Sequence, residues 1–267
     1  MTAGDPTYAF ANAAAVQRQR LLAIEAMLDE GTIRALEARG VSSGWHCLEV
    51  GAGAGSIASW LCTKVGPGGS VLATDLDVRF LAELGHPNLE ARVHDLLEDE
   101  LPDGEFDLVH LRLVTAWLGE PQAGLRRLVA ALKPGAWLVA EEMDFGSVAA
   151  DPRLGSDACS MFSRVVEAHN SVLSAQHAFD PFYGRRLEGD LSDAGLVDVS
   201  SEGRAAMWRG GTAGGTAWLL AFVQLREAIV ASGLVTPSEL DDVIALCGDP
   251  RLSFLSQVTV AAWGRRA

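Results

Sequence analysis

Glycine stands at every second position of the stretch Leu48-Glu49-Val50-Gly51-Ala52-Gly53-Ala54-Gly55-Ser56. Glycine admits positive φ and lets a ligand approach the main chain without meeting a Cβ. The apolar residues before Gly51 read as a strand, and the run from Ser56 to Val65 reads as a helix. The N-terminal N–H groups of that helix would aim at the same ligand. The spacing is G-x-G-x-G, not the G-x-G-x-x-G of dinucleotide folds. Two acids fall at the ends of later strand-like runs. Asp75 lies 20 residues after Gly55, where a carboxylate can accept both ribose hydroxyls of a nucleoside. Asp95 ends the next strand, where a carboxylate can take an adenine amino group.

These residues need a sheet to hold them. Strand and helix signals alternate, which predicts a parallel sheet. Strands are expected at 46–50, 70–74, 89–93, 106–111 and 136–140, with helices at 56–65, 78–84 and 122–132. The turns Gly66-Pro67-Gly68-Gly69 and Lys133-Pro134-Gly135 punctuate them. Before the sheet, helical spacing predicts one helix from Asn12 to Leu28 and a second from Thr32, as N-cap, to Gly40. After it, 146–182 reads as an insertion with a helix in 152–176. The core resumes at 184–194 and 197–204. A second insertion follows, with one helix at 216–231 and another opened by the capping box Thr236-Pro237-Ser238-Glu239. The last strand, 254–263, fits an antiparallel edge. The expected divisions are a helical arm over 1–40, a nucleotide-binding core over 41–145, a helical cover over 146–183, and the rest of the core over 184–267 with an insertion near 210–250.

The glycine turn with Glu49, the acids Asp75 and Asp95, and the run Leu132-Lys133-Pro134-Gly135-Ala136-Trp137-Leu138 together resemble class I S-adenosylmethionine (SAM)-dependent methyltransferases. Within these, the chain resembles the ubiquinone- and menaquinone-biosynthesis type that acts on small metabolites. The resemblance covers about residues 46–145 and implies a doubly wound, seven-stranded Rossmann-like α/β sheet, mostly parallel with an antiparallel last strand. It also implies SAM as cofactor and S-adenosylhomocysteine as product. Carried onto this sequence, Glu49 and Gly51 would contact the methionine end, with Gly53, Gly55 and Ser56 at the turn. Asp75 would bind the ribose, and Leu76, Asp95 and Leu96 the adenine. The residues from His110 to Arg112 would pass beneath the sulfonium.

Methyl transfer from a sulfonium needs an aligned nucleophile, excluded water and, for some acceptors, a base. The strand ends put His110, and Glu142 or Asp144, first among candidates. His169 falls on an apolar helical stripe, where core packing competes with catalysis. Tyr8, Tyr183 and His177 complete the set. Adjacent acids on a strand point to opposite faces, so Glu141, Glu142 and Asp144 give no convincing metal site. The insertions are apolar and aromatic, which suits a largely apolar small-molecule acceptor on O, N or C. An Ala-, Gly- and Leu-rich composition hints at secondary metabolism.

Bulk properties narrow the classes further. The chain has 267 residues, 49% hydrophobic and 21% charged, with a formal net charge of −14. Phosphate backbones and anionic membranes need clustered Lys and Arg, so neither nucleic acid nor membrane is an expected partner. The signature Asn/Asp-Pro-Pro-aromatic is absent after the fourth strand, where Leu111-Arg112-Leu113-Val114 stands. Cys47, Cys62, Cys159 and Cys247 are scattered and read as reduced, and no signal peptide is visible, so a cytoplasmic protein is expected. Monomer and homodimer both stay open. So does a protein that binds SAM without transferring methyl. A dehydrogenase is disfavoured by the glycine spacing.

Overall fold

The computed structural model describes residues 14–177 and 179–267. In chain order the elements are α1 (Ala14–Ala38), β1 (His46–Val50), α2 (Ser56–Val65), β2 (Ser70–Asp75), β3 (Leu89–Val93), β4 (Phe106–Arg112), α3 (Pro121–Ala131) and β5 (Leu132–Asp144). Then come β6 (Ala149–Ala150), α4 (Ser156–His177), α5 (Leu187–Asp193), β7 (Leu196–Arg204), β8 (Met207–Arg209), α6 (Ala213–Gln224), α7 (Arg226–Ala231), α8 (Pro237–Gly248), β9 (Ser253–Leu255) and β10 (Val258–Arg266).

Seven strands form one sheet in the order β3-β2-β1-β4-β5-β10-β7. Only β10 runs antiparallel to its neighbours, β5 and β7. This is the Rossmann-like sheet expected from the alternating pattern. Its central strands are covered on both faces, as parallel strands must be. Side chains alternate between the faces: Leu48, Val50, Val109 and Leu111 enter one apolar core, and Cys47, Leu108, Val71 and Val139 enter the other.

The insertions build a cover over the C-terminal ends of the strands. β6, β9 and β8 pair into a small three-stranded sheet; α4 and α6 pack against it, and α7 and α8 pack against those helices. α1 lies against α6 and α2. The capping box of α8 is complete, with Glu239 N donating to Thr236 Oγ1 at 3.2 Å and Thr236 N donating to Glu239 Oε2 at 2.8 Å.

Several expectations change. The two N-terminal helices are one, because Thr32 does not cap: its buried hydroxyl donates to Glu141. Gly31 lies inside this continuous helix, and the Arg204 guanidinium packs where its Cβ would stand. Residues 78–84 give only a 3-10 turn at Leu81–Glu83. The helix expected at 216–231 splits at Leu225. The final strand is internal, not an edge, and β7 takes the edge. A break at Ser256-Gln257 separates β9 from β10. Tyr8 lies outside the described residues. Among the described residues, no helix is long and apolar enough to cross a membrane, and no cluster of three or more His, Cys, Asp or Glu could hold a metal ion.

Candidate functional site

A cavity of about 330 Å³ runs along the C-terminal ends of the strands. The sheet order arranges its wall. Asp95 follows β3, Asp75 ends β2, and Gly51 and Gly53 follow β1. Arg112 and Leu113 close β4, Glu142 and Met143 lie on β5, and Gln257 precedes β10. Ligands of open α/β sheets sit in this crevice.

The glycines shape one end. Gly51 and Gly53 have φ of 66° and 58°, a region where a side chain is strained. A Cβ on Gly51 would also meet Val114 Cγ2 at 2.4 Å. Asp75 Oδ2 accepts from Gly53 N at 2.9 Å, and its Oδ1 accepts from Asp77 N at 3.1 Å. Burial raises the Asp75 pKa against the pull of these amides. An ionised carboxylate has about four acceptor sites, so sugar hydroxyls can still reach it. Leu76, Asp95 and Leu96 line the same end. So does His94, buried with both ring nitrogens unpartnered, which the sequence did not single out.

Four expected contacts stand elsewhere. Gly55, with φ 94°, packs against Leu81 and Leu84 and does not line the cavity. The N–H of Ser56 donates to Glu25 Oε1 at 3.1 Å, and its hydroxyl donates to Asp29 Oδ1 at 3.1 Å. The start of α2 is therefore met by α1, and it is Glu25 that lines the cavity. Burial raises the pKa of Glu25.

Glu49 and His110 lie beneath the cavity floor, not on it. His110 Nδ1 is 2.6 Å from Glu49 Oε2, and its Nε2 is 3.6 Å from Glu141 Oε2. The second separation is within ion-pair range and beyond hydrogen-bond reach. Burial lowers the His110 pKa, but the two carboxylates outweigh it and raise the value to about 9. Burial would likewise raise Glu141, yet His110, Thr32 and Arg112 hold it low. Arg204 pairs with Glu141, while Arg112 donates to Thr32 Oγ1 at 2.9 Å and to Asp29 Oδ1 at 3.0 Å. Three acids and three cations thus form one chain from the sheet into α1, buried at Glu49, His110 and Glu141 and half-buried at Arg112, Arg204 and Asp29. Here His110 fixes geometry and cannot touch a substrate.

The other end of the cavity is aromatic. His169, on α4, is 3% exposed, and its Nδ1 lies 3.1 Å from Asn170 Oδ1. Its ring meets Trp218 at 5.1 Å, Phe222 at 5.8 Å and Phe145 at 6.4 Å between centroids. Phe145 also packs on Phe179, which tilts against Trp117. Burial pushes His169 down to about 4, so the ring is neutral at pH 7. Glu142 Oε1 accepts from Thr115 Oγ1 at 2.6 Å and from Ala116 N at 3.1 Å. Burial dominates there and raises its pKa to about 7. Asp144 does not line the cavity: it pairs with Arg185 and accepts from Gly146 N at 2.9 Å. Burial works against its ionisation, but those partners lower its pKa. The sequence pointed at strand ends and so missed Trp218 and Gln257. Their only signals were an aromatic residue in a glycine-rich run and a break in the last strand.

Residues 48–138, about a third of the chain, match a family model described as a methyltransferase domain. The chain is 30% identical over 158 residues to Methyltransferase str3 of Strobilurus tenacellus, covering 57% of this chain and 53% of that protein. It is 27% identical over 126 residues to the uncharacterized methyltransferase C1B3.06c of Schizosaccharomyces pombe, covering 45% and 41%. The chain therefore spans about half the length of the curated relatives it matches. Phosphoethanolamine N-methyltransferase 2 of Haemonchus contortus, solved with SAM, superposes with a TM-score of 0.55 at 16% identity over 89% of this chain and 53% of that one. A putative methyltransferase of Bacillus halodurans gives 0.53 at 15% over 88% and 97%. At these identities the likeness shows the fold. The sheet and its flanking helices share the fold of these solved methyltransferases, and the matched methyltransferase domain lies within it.

Proposed function

We propose that this chain, built on the class I SAM-dependent methyltransferase fold, moves a methyl group from SAM to a small, largely apolar acceptor by in-line displacement. One observation carries the reading: a single cavity joins the glycine turn and strand-end acids to an aromatic chamber, with Glu142 between them in strand order. Asp75 takes the ribose, and Asp95, Leu76 and Leu96 hold the adenine. Gly51 and Gly53 leave bare backbone for the methionine end. Glu25 and Arg20, which face the same end from α1, supply a carboxylate for its ammonium and a cation for its carboxylate.

Glu142 is the proton acceptor where the acceptor atom carries a proton. A base works best with a pKa near the working pH, and burial places Glu142 at about 7. The carboxylate is the active form, so the rate is low below about pH 7 and levels off above it. Calorimetry with SAM, S-adenosylhomocysteine and NAD tests the donor: tight binding of the two sulfur nucleotides and none of NAD is expected. Glu142→Gln should bind SAM as well as wild type does. It should lose about 10²–10⁴-fold in labelled-methyl transfer, along with the pH step. SAM binding with no transfer to any component of a cell extract would replace this reading with a SAM-binding sensor.

A further inference from the structure

Three residues on the aromatic side of the cavity each carry a buried polar atom with no hydrogen-bond partner among the described residues. The atoms are His169 Nε2, Trp218 Nε1 and Gln257 Oε1. The residues are 3, 4 and 5% exposed. Buried polar groups are nearly always paired, so three orphans on one wall mark the places where a ligand supplies the partners. Their polarity can be read. Indole N–H only donates. Gln257 Nε2 lies 3.2 Å from the Met143 sulfur, which leaves the amide oxygen as an acceptor. His169 Nδ1 faces the Asn170 side-chain oxygen, so the proton sits on Nδ1 and Nε2 accepts. One donor and two acceptors suit hydroxyl groups, which can serve both. A carboxylate or phosphate would meet two acceptors with one donor. An ammonium, which only donates, would leave the Trp218 N–H without an acceptor. Burial drives both His169 and Glu142 toward their neutral forms, as expected of a chamber that disfavours charge. The walls are the rings of Trp117, Phe145, Phe179 and Trp218, which favour a flat guest.

Resting on the methyl-transfer reading, we infer that the acceptor is an uncharged, planar molecule bearing hydroxyl groups, a phenol or an enol, and that it is methylated on oxygen. The hydroxyl oxygen forms the new C–O bond as the S–CH₃ bond breaks. The bonding pair stays on sulfur, giving the neutral thioether of S-adenosylhomocysteine. The hydroxyl proton passes to the Glu142 carboxylate and then to water. At the transfer the positive sulfonium and the negative carboxylate are both neutralised, and release of the proton to water then restores the carboxylate.

Three probes of one shape separate the alternatives: 2-naphthol, 2-naphthylmethylammonium and 2-naphthoate. Each is titrated into the full chain loaded with S-adenosylhomocysteine and then incubated with labelled SAM. The naphthol should bind at least tenfold more tightly than either ion, and the label should appear as its methyl ether. Trp218→Phe keeps a ring and removes the donor. It should weaken naphthol binding at least fivefold and leave S-adenosylhomocysteine binding unchanged. The inference is overturned if an ion binds as tightly, if the label appears on nitrogen or carboxylate, if naphthol binds without being methylated, if none of the three binds, or if Trp218→Phe binds naphthol normally. Binding of SAM alone is measured in the same protein, so failure of the donor reading shows separately.

Discussion

At the scale of single residues, the contrast between Asp75 and His110 shows what position on a strand decides. Both are polar and both sit near strand ends, but Asp75 is the last residue of its strand and reaches the cavity. His110 is two residues short of the end of β4 and is sealed below it. Asp75→Ala should therefore weaken SAM binding by about 1.5–3 kcal/mol, the size of hydrogen bonds to a charged group. Calorimetry reads this directly, and unchanged affinity would remove the ribose contact. His110→Gln should act on stability instead. Its folded pKa, about 9, lies above the ordinary value of 6.5. The stabilisation is thus complete below about pH 6.5 and fades as pH rises through 9. The shift corresponds to on the order of 3 kcal/mol. Denaturant midpoints of wild type and variant should converge between pH 7 and 10, and parallel curves would contradict the buried ion chain. The sequence made Asp75 legible because its spacing from the glycines is a property of one crossover. It left His110 ambiguous, since whether the last turn of a strand faces ligand or core depends on what covers it.

Elements show the same division between local and distant causes. Strands β1 to β5 and β7, α2 and the α8 capping box were readable because neighbouring residues determine them, whereas the short strands β6 and β8 were not. Nor was the fusion of the N-terminal helices. Thr32 reads as an N-cap, but the partners of Gly31 and Thr32, Arg204 and Glu141, are far away in sequence. In an isolated helix Gly31→Ala would add about 1 kcal/mol of stability. Here the new methyl would stand 2.1 Å from Arg204 Nη1 and displace a cation paired with buried Glu141. Removing one partner of a buried ion pair costs about 3–5 kcal/mol, so Gly31→Ala should lower stability. In an Arg204→Ala background the clash is absent, and the same change should be neutral or stabilising. A double-mutant cycle by chemical denaturation measures the difference. A Gly31→Ala effect of the same sign and size in both backgrounds would show that Arg204 is not the reason for the glycine. The internal place of β10 was equally hidden, because pairing order is settled by the whole sheet and not by the composition of one strand.

For the molecule as a whole, the position of α1 decides how a bound nucleotide could leave. Gln17, Leu21, Ile24 and Met27 of α1 line the cavity above the glycine turn. The same helix is tied to the sheet side by Arg112 to Asp29 at 3.0 Å and by Ser56 to Asp29 at 3.1 Å. It is tied to the loop after β2 by Arg18 to Glu83 at 2.8 Å. The last of these is exposed and contributes little, whereas Asp29 joins two partners at the half-buried centre of the latch. A nucleotide seated between the glycine turn and α1 is enclosed, so its departure needs α1 to lift. Such openings are local unfolding events, visible as amide exchange. S-adenosylhomocysteine should therefore slow exchange across residues 17–27 more than across α8, which does not line the cavity. Asp29→Ala loosens the latch without touching the cavity wall. It should speed release of S-adenosylhomocysteine several-fold in stopped-flow measurements and raise exchange in α1 in the free protein. If release is unchanged while α1 exchange rises, the nucleotide leaves by another route, and α1 is a packing element, not the gate of the site.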